Sequence, residues 1–164
     1  MKLNSIYITL ACGIITFSAC TKSNSTDSSN NNTNGNNTPG RSDLLEAGKW
    51  QVITNTVTTI YKGKDTTIDM YALTDECDKD DFIIFASNGT ATVDENTNKC
   101  ADDQQIENFT WALLNNDTKL ALVDSNPDTV DIVELTATEM KLKMTKPNSS
   151  GVETTMAQTL KNIK

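Results

Sequence analysis

The side chains that could do chemistry in this sequence are four cysteines and 22 carboxylates, and histidine is absent. Histidine is the commonest general base at neutral pH and a common ligand of transition metals, so both kinds of chemistry lack their usual side chain. There is also no glycine-rich phosphate loop. Two carboxylates could act as the acid pair of a glycoside hydrolase, but the sequence singles out no pair. We therefore expect a protein that is not an enzyme and that has no cofactor.

The N-terminal segment 1–19 has the three parts of a secretory signal. Lys2 supplies the positive charge, an apolar run extends from Ile6 to Phe17, and the small residues Ser18 and Ala19 follow it. The run is shorter than the roughly 20 apolar residues that span a bilayer. We therefore predict a signal peptide that is removed during export, and not a transmembrane helix.

Cys20 directly follows this segment, and the pair Ser18-Ala19 before it resembles the bacterial lipobox. That motif usually has leucine three residues before the cysteine, where this chain has Phe17. The resemblance implies that Cys20 carries acyl chains, which anchor a protein without a transmembrane helix. Thr21 follows instead of aspartate, which by the same resemblance favours the outer membrane, facing either the periplasm or the exterior. The alternative is ordinary signal cleavage that leaves Cys20 as a free thiol.

Two cysteines, Cys77 and Cys100, remain once Cys12 leaves with the signal peptide and Cys20 is acylated. Exported proteins form disulfides because their compartments are oxidising. A zinc site would need more ligands than the chain supplies. We therefore predict a disulfide between Cys77 and Cys100, closing a loop of about 24 residues and contributing roughly 3–4 kcal/mol in the chain-entropy model.

Acidic residues flank both of these cysteines, and a disulfide would bring the two acidic segments together. Clustered carboxylates can hold Ca²⁺, and the candidate ligands are Asp78, Asp80 and Asp102. Their spacing fits no calcium-binding loop, and solvated acids are common on exported proteins. The preferred interpretation is therefore a solvated acidic surface without a metal.

The chain has a formal net charge of −8 and a single arginine, Arg41, so we do not expect it to bind nucleic acid. Residues 20–41 begin with the lipidated cysteine and are otherwise rich in Ser, Asn and Thr. Such a segment buries too little apolar area to offset its ordering entropy. We predict a disordered tether with a span on the order of 25 Å.

The remaining residues, 42–164, alternate between short apolar or β-branched runs and turn residues, as expected for one all-β domain. A helical turn is predicted from Ser42, which can cap it, to Ala47. The pair Asn88-Gly89 is the strongest hairpin signal. Strands are predicted near residues 49–61, 67–71, 82–85, 90–93, 109–113, 120–122, 130–135, 140–144 and 154–161.

Strands this short, joined by tight turns, must have antiparallel neighbours. A meander of this length either closes into an up-and-down barrel or folds as a sandwich. Closure leaves no exposed sheet edge. We therefore predict an all-β, up-and-down antiparallel barrel of about eight strands with a short N-terminal helical turn.

A series of short motifs resembles the lipocalin-like lipoprotein domains of Bacteroidetes. The motifs that carry the resemblance are Gly48-Lys49-Trp50, Cys77 with Asp80-Asp81-Phe82, Asn88-Gly89-Thr90, Cys100, Thr110-Trp111 and Ile132-Val133-Glu134-Leu135. The resemblance covers most of the segment from Leu45 to Lys161. It implies a small barrel on an outer-membrane lipid anchor, and it supplies no catalytic residues.

An eight-stranded barrel is either filled by its own side chains or holds one small ligand. Trp50 is expected to plug the closed end, whereas Trp111, Phe109 and Ile84 are the candidates for contact with a ligand. Because the chain has few large aromatic residues, we expect room for a small apolar or amphipathic ligand. The alternative is a structural or adaptor lipoprotein with a filled barrel that acts through its surface loops. The sequence identifies no protein partner.

Overall fold

The computed structural model describes residues 39–123 and 128–164. The predicted signal peptide, Cys20 and most of the predicted tether lie outside these residues. The elements are α1 (Arg41–Glu46), β1 (Lys49–Tyr61), β2 (Lys64–Asp69), a 3₁₀ turn (Tyr71–Leu73), β3 (Phe82–Phe85), β4 (Thr90–Asp94), β5 (Ile106–Leu114), β6 (Lys119–Val123), β7 (Asp128–Leu135), β8 (Glu139–Pro147) and β9 (Glu153–Ile163). Neither helical segment in the described ranges has the length and apolar character needed to cross a membrane.

Helix α1 begins at Arg41, two residues before the start that follows from Ser42 as N-cap, because its N-cap is Gly40. The Asp43 carboxylate accepts a hydrogen bond from the backbone N–H of Gly40 at 2.9 Å, and Gly40 O accepts the N–H of Leu44 at 3.1 Å. An acidic side chain in the first turn also interacts favourably with the helix dipole. The prediction of Ser42 as the cap was therefore wrong.

The strands form one antiparallel sheet that closes on itself. Each strand from β3 to β8 pairs with the next along the chain, and β9 pairs with β1 from Lys49↔Ile163 to Thr59↔Thr154. Since β1 also pairs with β3, eight strands make a complete ring. The predicted up-and-down barrel of about eight strands with one N-terminal helical turn is confirmed.

Strand β2 is not needed to close this ring. It pairs with the same edge of β1 as β3 does. It pairs with β1 residues 56–61, whereas β3 pairs with Lys49 and Trp50. Both are antiparallel to β1, so β2 and β3 follow one strand position that is interrupted by residues 70–81. We call residues 70–81 the insertion loop.

The end of the barrel next to α1 is tightly packed. Trp50, Leu45 and Met140 are fully buried there, and Leu160 is 1% exposed. The indole N–H of Trp50 donates to the carbonyl of Leu45 at 2.8 Å, which joins the helix to β1 and satisfies the only polar atom of the indole. The prediction that Trp50 plugs the closed end is confirmed.

Candidate functional site

The inward face of the barrel changes from fully buried at the closed end to partly buried at the opposite end, which we call the mouth. In the β8–β9 pair, Met140 faces Leu160 at the closed end, and Met144 faces Met156 four residues nearer the mouth. Side chains alternate between the two faces of a strand, so both pairs point inward. Inward apolar residues that remain partly exposed toward the mouth include Val57, Phe109, Leu122, Met144 and Met156. The mouth is therefore lined by apolar side chains that are not covered by the rest of the barrel.

A small cavity lies deeper, between the barrel wall and the insertion loop. Its volume is about 20 Å³, which is room for about one water molecule. Trp50, Val52, Asn55, Phe82, Ile83, Val93 and Gln158 line it from the strands, and Tyr71, Thr74, Asp78 and Asp81 line it from the insertion loop. The insertion loop is therefore one wall of the interior.

Polar groups converge on this cavity. Asn55 and Gln158 are cross-strand partners in the β1–β9 pair. They lie two residues nearer the closed end than the partners Val57 and Met156. The Oδ1 atoms of Asn55 and Asp81 are buried and have no hydrogen-bond partner among the described residues. A ligand with a polar group could satisfy these atoms, since an unpaired buried polar atom is unfavourable.

The carboxyl group of Asp81 titrates near neutrality. Burial, and after it the negative charges of Glu95, Asp78, Asp80 and Asp103, together raise the pKa of Asp81 to about 7. At neutral pH a substantial fraction of Asp81 is therefore protonated and can donate a hydrogen bond as well as accept one.

The insertion loop is fixed to the strands and to residues 95–105, which we call the β4–β5 loop. The side chain of Gln51 in β1 donates to the carbonyl of Lys79 at 2.9 Å. The side chain of Asn98 donates to the carbonyl of Glu76 at 2.9 Å. The loop is therefore held against both β1 and the β4–β5 loop.

The disulfide between Cys77 and Cys100 joins the same two loops, with Cα atoms 5.2 Å apart. This bond was predicted from the cysteine count and is present. It brings the two acidic segments together, as expected. The covalent link and the hydrogen bonds make the loops one connected structure beside the mouth.

The three residues predicted to contact a ligand occupy different environments. Phe109 faces the interior and is partly buried. Trp111 is 9% exposed, and its indole N–H donates to Ala86 O at 3.0 Å while its ring makes an edge contact with Phe85 at 5.4 Å. Ile84 lies on the face of β3 opposite the core residues Ile83 and Phe85. Only Phe109 of the three is in the partly exposed part of the interior.

The predicted calcium candidates are only partly brought together. Asp78 lies within a group of acids that also contains Glu95 and Asp103. The Asp80 carboxylate instead accepts the backbone N–H of Asn98 at 3.2 Å, and Asp102 is exposed. The predicted candidates omitted Glu95 and Asp103, although both lie among the acids that flank Cys100, because nothing local distinguishes them from the other acids.

An antiparallel ring of eight strands, closed at one end by a helical turn and a tryptophan, places this protein among the small up-and-down β-barrels. The family model for the lipocalin-like domain matches residues 48–142, and the chain belongs to this family.

Among solved structures, the chain is similar to bovine odorant-binding protein in complex with a selenium-containing odorant. The sequence identity is 12% and the TM-score is 0.43, over 81% of this chain and 78% of that chain. No curated protein matches the sequence.

Proposed function

We propose that the protein is a non-enzymatic envelope lipoprotein whose barrel binds a small amphipathic ligand. The observation that carries this proposal is the partly exposed apolar lining of the mouth, formed by inward-facing side chains such as Val57, Met144 and Met156. These side chains offer apolar surface that a bound ligand could cover. The family to which the chain belongs supports the same function.

The order of polar and apolar side chains specifies how the ligand binds. On β1 and β9 the pair Asn55–Gln158 lies deeper than the pair Val57–Met156. A ligand is therefore expected to insert its polar group toward Asn55, Gln158 and Asp81 and to leave its apolar part against the mouth. Because the deep cavity holds only about 20 Å³, the polar group must be small or must displace part of the insertion loop.

The test of ligand binding uses N-phenyl-1-naphthylamine, an apolar dye that fluoresces on leaving water. We expect the dye to bind, and we expect Val57→Trp to weaken binding by roughly 5- to 150-fold, since overfilling a packed site costs about 1–3 kcal/mol. The matched control is Ile60→Trp, which adds the same ring to an exposed side chain of the same strand. Titration of dye fluorescence measures both affinities.

Equal dye affinity for Val57→Trp and Ile60→Trp would place the binding outside the barrel. Absence of dye binding to the unmodified protein would instead favour the second candidate, an adaptor that acts through its surface. Two observations favour that candidate: the small volume of the enclosed cavity, and the exposed apolar residues Ile60 and Tyr61 at the end of the β1–β2 hairpin.

The proposed location is the outer membrane, through acyl chains on Cys20. The lipobox-like residues Ser18-Ala19 before Cys20 support it. We expect Cys20→Ala to release the protein into the soluble fraction or to leave it as unprocessed precursor, because the acyl chains supply the membrane affinity. Cell fractionation with immunoblotting measures this. Normal processing and unchanged membrane association of the variant would contradict the proposed anchor.

A further inference from the structure

Three carboxylates converge where the disulfide joins the insertion loop to the β4–β5 loop. Oxygen atoms of Asp78, Glu95 and Asp103 all lie within 4.8 Å of one another and of the Cys100 sulfur. Asp78 follows Cys77 directly, and the other two acids lie in the β4–β5 loop. The disulfide therefore fixes the distance between acids that come from different segments.

Glu95 distinguishes this group from an ordinary acidic surface. Glu95 is only 7% exposed, and among the described residues it is the only charged residue that is buried. The backbone N–H of Cys100 donates to its carboxylate, but Oε2 is buried without a hydrogen-bond partner among the described residues. A buried carboxylate oxygen in this state is strongly unfavourable unless a cation or a donor pairs with it.

The charges around Glu95 increase this cost. Burial raises the pKa of Glu95 most, and the negative charges of Asp103, Asp78 and Glu107 raise it as well, while the hydrogen bond from Cys100 lowers it. The ion pairs of Lys79, Lys119 and Lys141 are made with other acids. The ammonium group of Lys99 donates to the backbone carbonyls of Cys100 and Asp103 in the same loop. The three carboxylates nevertheless repel one another, and a bound cation would relieve this repulsion.

We propose that Asp78, Glu95 and Asp103 bind a calcium ion that links the insertion loop to the β4–β5 loop. Calcium takes six to eight oxygen ligands in flexible geometry, so three carboxylates and bound water could supply its coordination shell. Magnesium demands near-octahedral geometry and gives up its own water reluctantly, so it suits such a site less well. Cys100 contributes no thiolate because its sulfur is in the disulfide, so the donors are hard oxygens and zinc is disfavoured.

The experiment titrates the full-length protein, purified in detergent with its disulfide intact and treated with a chelator, with CaCl₂ in a calorimeter. We expect a dissociation constant on the order of 10⁻⁴–10⁻³ M, as in extracellular calcium modules. The melting temperature should rise with calcium concentration, because the ion binds only the folded state. MgCl₂ should have a weaker effect, and NaCl at matched ionic strength should not reproduce it.

The diagnostic variant is Glu95→Gln, which keeps the shape of the side chain and removes its charge. Changes in the outer shell of metal sites cost about 10–100-fold in affinity, so loss of a direct carboxylate should weaken calcium binding at least about tenfold. The matched control is Glu153→Gln, an exposed glutamate in β9, which should bind as the unmodified protein does. If Glu95→Gln does not fold, Asp103→Asn takes its place with the same expected loss.

Absence of calcium-dependent heat and of any shift in melting temperature would overturn the site. So would a Glu95→Gln or Asp103→Asn variant that binds calcium as the unmodified protein does, or an equal effect of NaCl. The site does not depend on ligand binding in the barrel, so dye binding and calcium binding can fail separately.

Discussion

Replacement of Trp50 by alanine is expected to lower the free energy of unfolding by about 3–5 kcal/mol, the range measured for large aromatic residues in protein cores. Trp50 is fully buried, packs with Leu45 and Met140 at the closed end, and donates its indole N–H to the carbonyl of Leu45. The variant leaves a cavity and an unpaired carbonyl in the same place. Denaturant unfolding followed by circular dichroism measures the loss.

Two further variants separate these contributions. Trp50→Phe keeps most of the apolar volume and removes the hydrogen bond, so its effect should lie between those of the unmodified protein and Trp50→Ala. Tyr61→Ala removes an aromatic ring that is 60% exposed on the same strand, and its effect should stay within about 0.5 kcal/mol. A Trp50→Ala effect no larger than that of Tyr61→Ala would mean that the closed end is not packed as described.

Removal of the disulfide, by Cys77→Ser together with Cys100→Ser, is expected to lower the free energy of unfolding by roughly 3–4 kcal/mol. The bond constrains a loop of about 24 residues in the unfolded chain, and the cost of closing that loop on folding is mainly entropic in this model. Denaturant unfolding of the oxidised protein and of the double variant measures the difference.

The double variant also supplies the control for chemical reduction. A reductant should destabilise the unmodified protein by a similar amount and should leave the double variant unchanged. If mass spectrometry of the native protein found both thiols free, the link between the insertion loop and the β4–β5 loop would be wrong.

Most strands could be predicted because their signals are local. The Asn88-Gly89 signal and the alternating residues around it predict the β3–β4 hairpin. Its loop is Ser87-Asn88-Gly89, and Gly89 adopts the positive φ that such a turn needs. Strand β5 begins at Ile106, earlier than predicted, because Ile106–Asn108 pair with β4. Strand β2 begins at Lys64 because Lys62 and Gly63 alone form its turn. Both differences arise from pairing between strands, which the local pattern does not contain.

The only part of the site that could be predicted from the sequence is the disulfide, because the number of cysteines was enough to predict it. Two cysteines left over in an exported chain predict the disulfide, whatever the fold. Asn55 could not be predicted to line the interior, because alternation from Trp50 and Val52 would place even-numbered residues inside. A register shift between Val52 and Thr54 reverses this, and it places Asn55 and Val57 opposite Gln158 and Met156.

The insertion loop departs from one strand position at Met70 and returns to it at Phe82. Because β2 and β3 each have their own pairing with β1, a change in the length or sequence of this loop need not change how the strands of the ring are paired. Related chains could exchange this segment for another without a new barrel, as is general for surface loops on a rigid scaffold. The barrel supplies the constant part of the protein, and the segment at its wall is where a new specificity can arise.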